Sequence, residues 1–115
     1  MRAFRAAFTA CALLGLSACA GLYGPLPMPP ATGAPEAVTV AGKDYIVTRS
    51  AVASQPGGEL MRVYRPHGAA FDYSDGQTAK AVAVAFCKGY HRGLSPWAMG
   101  MFEPTGAWAF PGGCA

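Results

Sequence analysis

Beyond residue 37 the chain moves between two hydrophobic rhythms, and these place its elements. Val38 and Val40 flank Thr39, and Tyr45 and Val47 alternate with Asp44, Ile46 and Thr48, on either side of Ala41-Gly42-Lys43-Asp44. Period two on both sides of a Gly-containing break predicts a β-hairpin with strands at 37–41 and 44–49. Ser54-Gln55-Pro56-Gly57-Gly58 is a loop by composition. Leu60, Arg62 and Tyr64 then alternate with Met61, Val63 and Arg65, predicting a third strand over 60–65 that Pro66 stops and whose sidedness stays open.

The rhythm next becomes helical. Ala79, Val82, Ala83, Phe86 and Tyr90 recur at three- and four-residue spacing, with Lys80 and Lys88 on the other side. Ser74 with Gln77 three residues on has the form of a capping box, Asp75 suits the first turn, and Gly89 is placed to end the helix, expected over 75–88. Period two returns in the tail, where Trp97, Met99 and Met101 alternate with Ala98, Gly100 and Phe102. A turn follows at 103–106, then a last strand over 107–110. Three strands, a helix and two strands predict an α+β fold, a small antiparallel sheet of about five strands with one helix packed on it.

The first 36 residues follow neither rhythm. Arg2 and Arg5 precede an apolar run at 6–16, interrupted only by Thr9 and Gly15 and followed by small residues, the layout of a secretory signal. The run is too short to span a bilayer, which takes roughly 20 apolar residues. Its end, Leu16-Ser17-Ala18-Cys19, resembles the lipobox of bacterial lipoproteins, an aliphatic residue, two small residues and a cysteine. The resemblance implies that residues 1–18 are removed, that Cys19 becomes the first residue and carries a covalent lipid, and that the protein is held in the cell envelope by acyl chains. Two or more chains give stable anchoring where one does not. Ala20 is not the Asp that retains enteric members of that family at the inner membrane, so the resemblance points to the periplasmic face of the outer membrane. Ordinary signal cleavage after Ala20, through Ala18-Cys19-Ala20, is the competing reading and would discard Cys19. Pro25, Pro27, Pro29, Pro30 and Pro35 then mark residues 19–36 as a Pro/Gly-rich tether, and a free 16-residue polyproline stretch would reach about 50 Å.

Taking away 18 of 115 residues leaves 97, one small domain over 37–115 for which a staple matters. The net charge of +3 loses Arg2 and Arg5, leaving seven basic against six acidic side chains. With no basic cluster to displace counterions from a phosphate backbone, nucleic acid is not an expected partner. Of four cysteines, Cys11 lies in the signal and Cys19 is the lipid site, so Cys87 and Cys114 remain as an even pair in an exported chain. They are expected to form a structural disulfide worth roughly 3 to 4 kcal/mol by loop closure; without a CxxC spacing, redox or metal chemistry is the weaker reading.

Catalytic chemistry has little to build on. His67, between Pro66 and Gly68, and His91, between Tyr90 and Arg92, are the candidate bases after the anchor, and neither stands in a recognisable motif; both read as surface or loop residues. Asp72, Asp75 and Gly76 superficially suggest a calcium loop, but the following positions are Lys80 and apolar residues. Trp97, Met99 and Met101 allow two readings. Such a stripe usually fills a core; alternatively, thioethers and an indole face suit Cu(I) or Ag(I). The stripe loosely resembles the Trp and Met set of small periplasmic copper chaperones, with a Trp-to-Met spacing one residue shorter and His91 not clearly placed as the remaining ligand. The expectation is a lipid-anchored envelope protein that is not an enzyme, needs no cofactor beyond the lipid on Cys19, and binds another envelope protein or a cell-wall component. A small-ligand or soft-metal module and an anchored hydrolase inhibitor are the alternatives.

Overall fold

The structure, a computed structural model, describes residues 24–115. The signal segment, the lipobox and Cys19 lie outside the described residues. The hairpin forms as expected: β1 (Glu36–Val40) and β2 (Lys43–Ala51) pair antiparallel, Val40 opposite Lys43. Their two-residue turn puts Ala41 at φ 53° and Gly42 at φ 77°. Two successive positive φ values match the right-handed twist of the flanking strands, a geometry Gly42 adopts freely and Ala41 only with strain.

β3 (Glu59–Tyr64) follows a short 3-10 turn at Pro56–Gly58, and α1 (Gly76–Lys88) crosses back over one face of the sheet. β4 (Met101–Glu103) and β5 (Ala107–Pro111) complete a single five-stranded antiparallel sheet in the order β1-β2-β3-β5-β4. The last two strands enter in reverse, so short β4 becomes an edge and β5 a central strand. Central position explains its composition: Ala107, Trp108, Ala109 and Phe110 are all buried.

The core lies between α1 and the sheet. Ala79, Val82, Ala83, Phe86 and Cys87 face Tyr45, Val47, Met61, Val63, Trp108 and Phe110. Register settles the sidedness of β3: Met61 and Val63 point to the helix, while Arg62 lies on the outer face opposite Ala109. Glu103 stands opposite Ala107. The Arg62–Glu103 ion pair, at 2.8 Å, therefore spans β5 on the face that α1 leaves uncovered.

The helix begins differently from expectation. The capping group is Asp72, whose carboxylate accepts from the Ser74 amide and hydroxyl while Asp75 Oδ2 accepts from the Asp72 amide. That box closes a 3-10 turn at Tyr73–Asp75 that feeds into α1. Ser74 is thus a donor to the cap, and the pair with Gln77 is not used, because the chain turns one element earlier. The helix does end at Lys88, but Gly89 keeps a right-handed φ of −61° and the left-handed residue is His91, at φ 57°.

The Pro-rich run is also different. From residue 24 to 35 it packs along the domain: the Leu26 amide donates to Tyr90 O, the Gly33 amide donates to Arg49 O, and Thr32 bridges Ser50 on β2. Arg49 follows Tyr45 and Val47 at period two and so points inward, where it is 4% exposed. Its guanidinium donates to Glu59 Oε1 at 3.0 Å and to the carbonyl of Pro29. A buried cation needs such partners, and the carbonyls of a proline run, which lacks amide donors, supply one. The 50 Å reach of a free tether accordingly does not apply to this stretch.

Candidate functional site

Residues 94–100 join the helical side of the molecule to β4 and carry the exposed apolar side chains singled out in the sequence. Their path is fixed at its start. Leu94 bridges Cys114, the Ser95 amide donates to Gly113 O at 2.7 Å, and Ser95 itself is buried against Gly112. The expected disulfide Cys87–Cys114 is present and ties this segment to the last turn of α1. Cys114 lies just beyond β5, so the bridge joins the helix to the C-terminal tail rather than to a strand.

Within the segment the Ala98 amide donates to Ser95 O and the Met99 amide to Trp97 O, a tight turn that sends Ala98 inward and its neighbours outward. Trp97 is 64% exposed, Met99 78% and Met101 49%. Core filling by this stripe is therefore overturned: the small residue between the large ones is the buried one. The extended tail strand starts only at Met101, so the three side chains do not form a single-faced stripe. Met101 sits opposite Ala109 on the outer face of the sheet, whereas Met99 rims a hollow on the helix side with Lys80 and Val84. The structure brings Trp97 and Met99 together on one loop and turns Met101 away from them.

That hollow has a volume of about 460 Å³ and is lined by Leu94, Pro96, Ala98 and Gly100 as well as the three rim residues. A second, of about 320 Å³, shares Lys80 and Gly100 with it and is floored by Trp108 and Phe110. Two glycines make this floor accessible. A Cβ on Gly76 would stand 2.9 Å from Trp108 Cη2, and one on Gly100 would stand 3.0 Å from Phe110 Cε1. Trp108 cannot easily give way, because its Nε1 donates to the carbonyl of Asp72 at 3.1 Å. Together the two hollows form a shallow groove of mixed polarity along the exposed flank of α1, with Lys80 as the cation shared between them and Met99 on its rim, while Trp97 stands exposed between the lining residues Pro96 and Ala98.

The histidines stand apart. His67, at φ 59°, lines a hollow of about 380 Å³ with Lys43, Asp44, Arg65 and others at the N-terminal end of α1, and His91 lies at the C-terminal end. Among the described residues no three His, Cys, Asp or Glu side chains come together in a way that could hold a metal ion. Hydrogen bonds from Ser74 hold the Asp72 carboxyl below the usual range, and burial, with a bond to Glu36, raises the Tyr90 phenol. Both shifts belong to structural contacts rather than to a cleft.

Sequence reasoning missed Arg49 and the groove floor. The period-two position of Arg49 carried the signal for the first; nothing local marks Gly76 and Gly100 as neighbours of Trp108. Comparison of the chain with protein-family models, with curated proteins and with solved structures finds no match.

Proposed function

We propose that this protein is a lipid-anchored component of a bacterial cell envelope whose domain works by binding another envelope macromolecule through the groove beside α1. The observation that carries the binding role is the outward display of Trp97 and Met99 on a segment held by the Ser95 contacts and the Cys87–Cys114 bridge. Large apolar side chains on a rigid support lose little entropy on association, and exposed apolar clusters beside polar rims mark interaction surfaces. The anchoring role rests on the Leu16-Ser17-Ala18-Cys19 resemblance.

Two measurements test the two parts separately. Mass spectrometry of the native product should find the chain beginning at Cys19 with acyl chains attached; an unmodified chain beginning after Cys19 refutes the anchor. A photoreactive residue placed at Trp97 should crosslink, in intact cells, to one major partner that the same residue placed at Thr78, on an exposed part of α1, does not capture. Identical capture from both positions refutes the groove as the binding surface.

A further inference from the structure

The docked Pro-rich run changes what a lipid at Cys19 would do to the domain. Resting on that reading of Cys19, we infer that the domain sits with one particular end on the phospholipid headgroups, the end formed by the C-terminal turn of α1, Leu26, Arg92 and the chain's last residues. The strands and α1 run between two ends of the molecule. At one lie the Ala41-Gly42 turn, the loop after β3 and the turn before β5, joined where the Phe71 amide donates to Gly106 O. At the other lie the loop after β2, Lys88, and residues 112–115, joined where the Gly112 amide donates to Glu59 O and the Ala115 amide to Gly93 O.

The chain reaches the domain at the second end. Leu26 is held there on both sides of its peptide, its amide donating to Tyr90 O at 2.9 Å and its carbonyl accepting from Arg92 Nε at 3.0 Å and Nη2 at 2.8 Å. Leu26 is seven residues beyond Cys19. However they are arranged, they cannot span more than about 25 Å. The nine residues of β2 alone extend about 30 Å along the domain. The leash is shorter than the body it holds. An inverted domain, with the Ala41-Gly42 turn on the bilayer, would lift Leu26 beyond the reach of its own anchor; a free 16-residue tether of about 50 Å would permit it.

Charge does not oppose the geometry. Lys88 is exposed and has no carboxylate side-chain partner among the described residues, whereas Arg92 donates to the Leu26 carbonyl and to a terminal oxygen of Ala115. Of the acidic groups toward this end, Glu59 is paired with Arg49, and Glu36 accepts from the neutral Tyr90 hydroxyl and keeps its charge. Lys88 is thus the exposed cation that an anionic headgroup could meet at this end, and the orientation rests on the leash rather than on net charge. Tyr73, 78% exposed and set against Phe102 and Trp108 at the far end, then points away from the membrane.

The experiment reconstitutes the native lipidated protein in phosphatidylethanolamine/phosphatidylglycerol vesicles carrying a headgroup energy acceptor. A donor fluorophore is attached through Gly93→Cys, an open position beside Arg92, or through Thr105→Cys, exposed at the opposite end. Energy transfer should be several-fold greater from residue 93 than from residue 105. Inserting ten Gly/Ser residues between Ala20 and Gly21 should bring the two values together. Equal transfer from both sites in uninserted protein that floats with the vesicles overturns the orientation while leaving the anchor intact, and a difference that survives the insertion overturns leash length as its cause. Protein that lacks acyl chains and stays behind when the vesicles float overturns the anchor and the orientation with it.

Discussion

Arg49 carries the strongest single-residue commitment in the domain. It is a buried guanidinium held between Glu59 and the carbonyl of Pro29, with its Nε unpartnered. Removing one member of a buried ion pair leaves the other stranded, at a cost of about 3 kcal/mol. Arg49→Ala is therefore expected to lower unfolding stability by about that much, read from denaturant midpoints at constant slope. Because the same side chain clasps the Pro-rich run, amides such as Gly33 should exchange faster before the domain itself unfolds. Unchanged exchange at Gly33 would count against the clasp. Asp72 makes a different statement at the same scale. Its carboxyl sits below the usual range because Ser74 bonds its ionised form, so its contribution is complete above the unfolded-state value near 4 and fades as the pH falls through its lower folded value. Asp72→Ala should thus be less stable than the parent at pH 7, with the gap closing in strong acid; a gap independent of pH would point to lost packing instead.

Elements are governed here by close approaches that local propensity does not anticipate. Ala is the better helix former by about 1 kcal/mol at an ordinary helical glycine. At Gly76 the order should reverse, since the added methyl meets Trp108, itself fixed by its bond to Asp72. Gly76→Ala is expected to cost about 1 to 3 kcal/mol through overpacking, measured by thermal unfolding. A stabilised variant would mean that the first turn of α1 shifts freely. The disulfide acts on the next pair of elements. Paired replacement, Cys87→Ala with Cys114→Ala, should lower stability by about 3 kcal/mol. It should also loosen the loop bearing Trp97, seen as reduced protection of the Ser95 amide that bonds Gly113.

At the scale of the whole molecule, stability and recognition are expected to separate. Trp97 and Met99 contribute little to the core, so Trp97→Ala with Met99→Ala should change unfolding free energy by no more than about 0.5 kcal/mol. The same double variant should lose the partner captured at the groove, measured by crosslinking in intact cells through a photoreactive residue at Gln77. Retained capture would place binding elsewhere on the surface. On the proposed anchoring, the two ends of the molecule would divide these roles further: the short leash would hold one end toward the headgroups and leave the groove along the flank of α1 open to a neighbouring macromolecule.

Much of the fold was legible because its rhythms are short-range. Alternation at Val38, Val40, Tyr45 and Val47 and helical spacing at Ala79, Val82, Ala83 and Phe86 reflect which face each local element buries, and the hairpin, the helix and the five-stranded α+β layout follow. Subtracting two cysteines to leave Cys87 and Cys114 needed only counting. Decisions that depend on what lies across the molecule were not written locally. Proline composition announces an extended chain but not that Arg49 and Tyr90 will hold it down; alternation at 97–101 announces apolar side chains but not that Ala98 takes the interior. Asp72 caps the 3-10 turn that precedes α1, and α1 itself starts from Asp75 without a side-chain cap. Period and composition determine which elements form, since each residue answers to its immediate neighbours; which face of a loop meets water, and which end of the domain the Pro-rich run reaches, is decided only when distant segments compete for the same buried space.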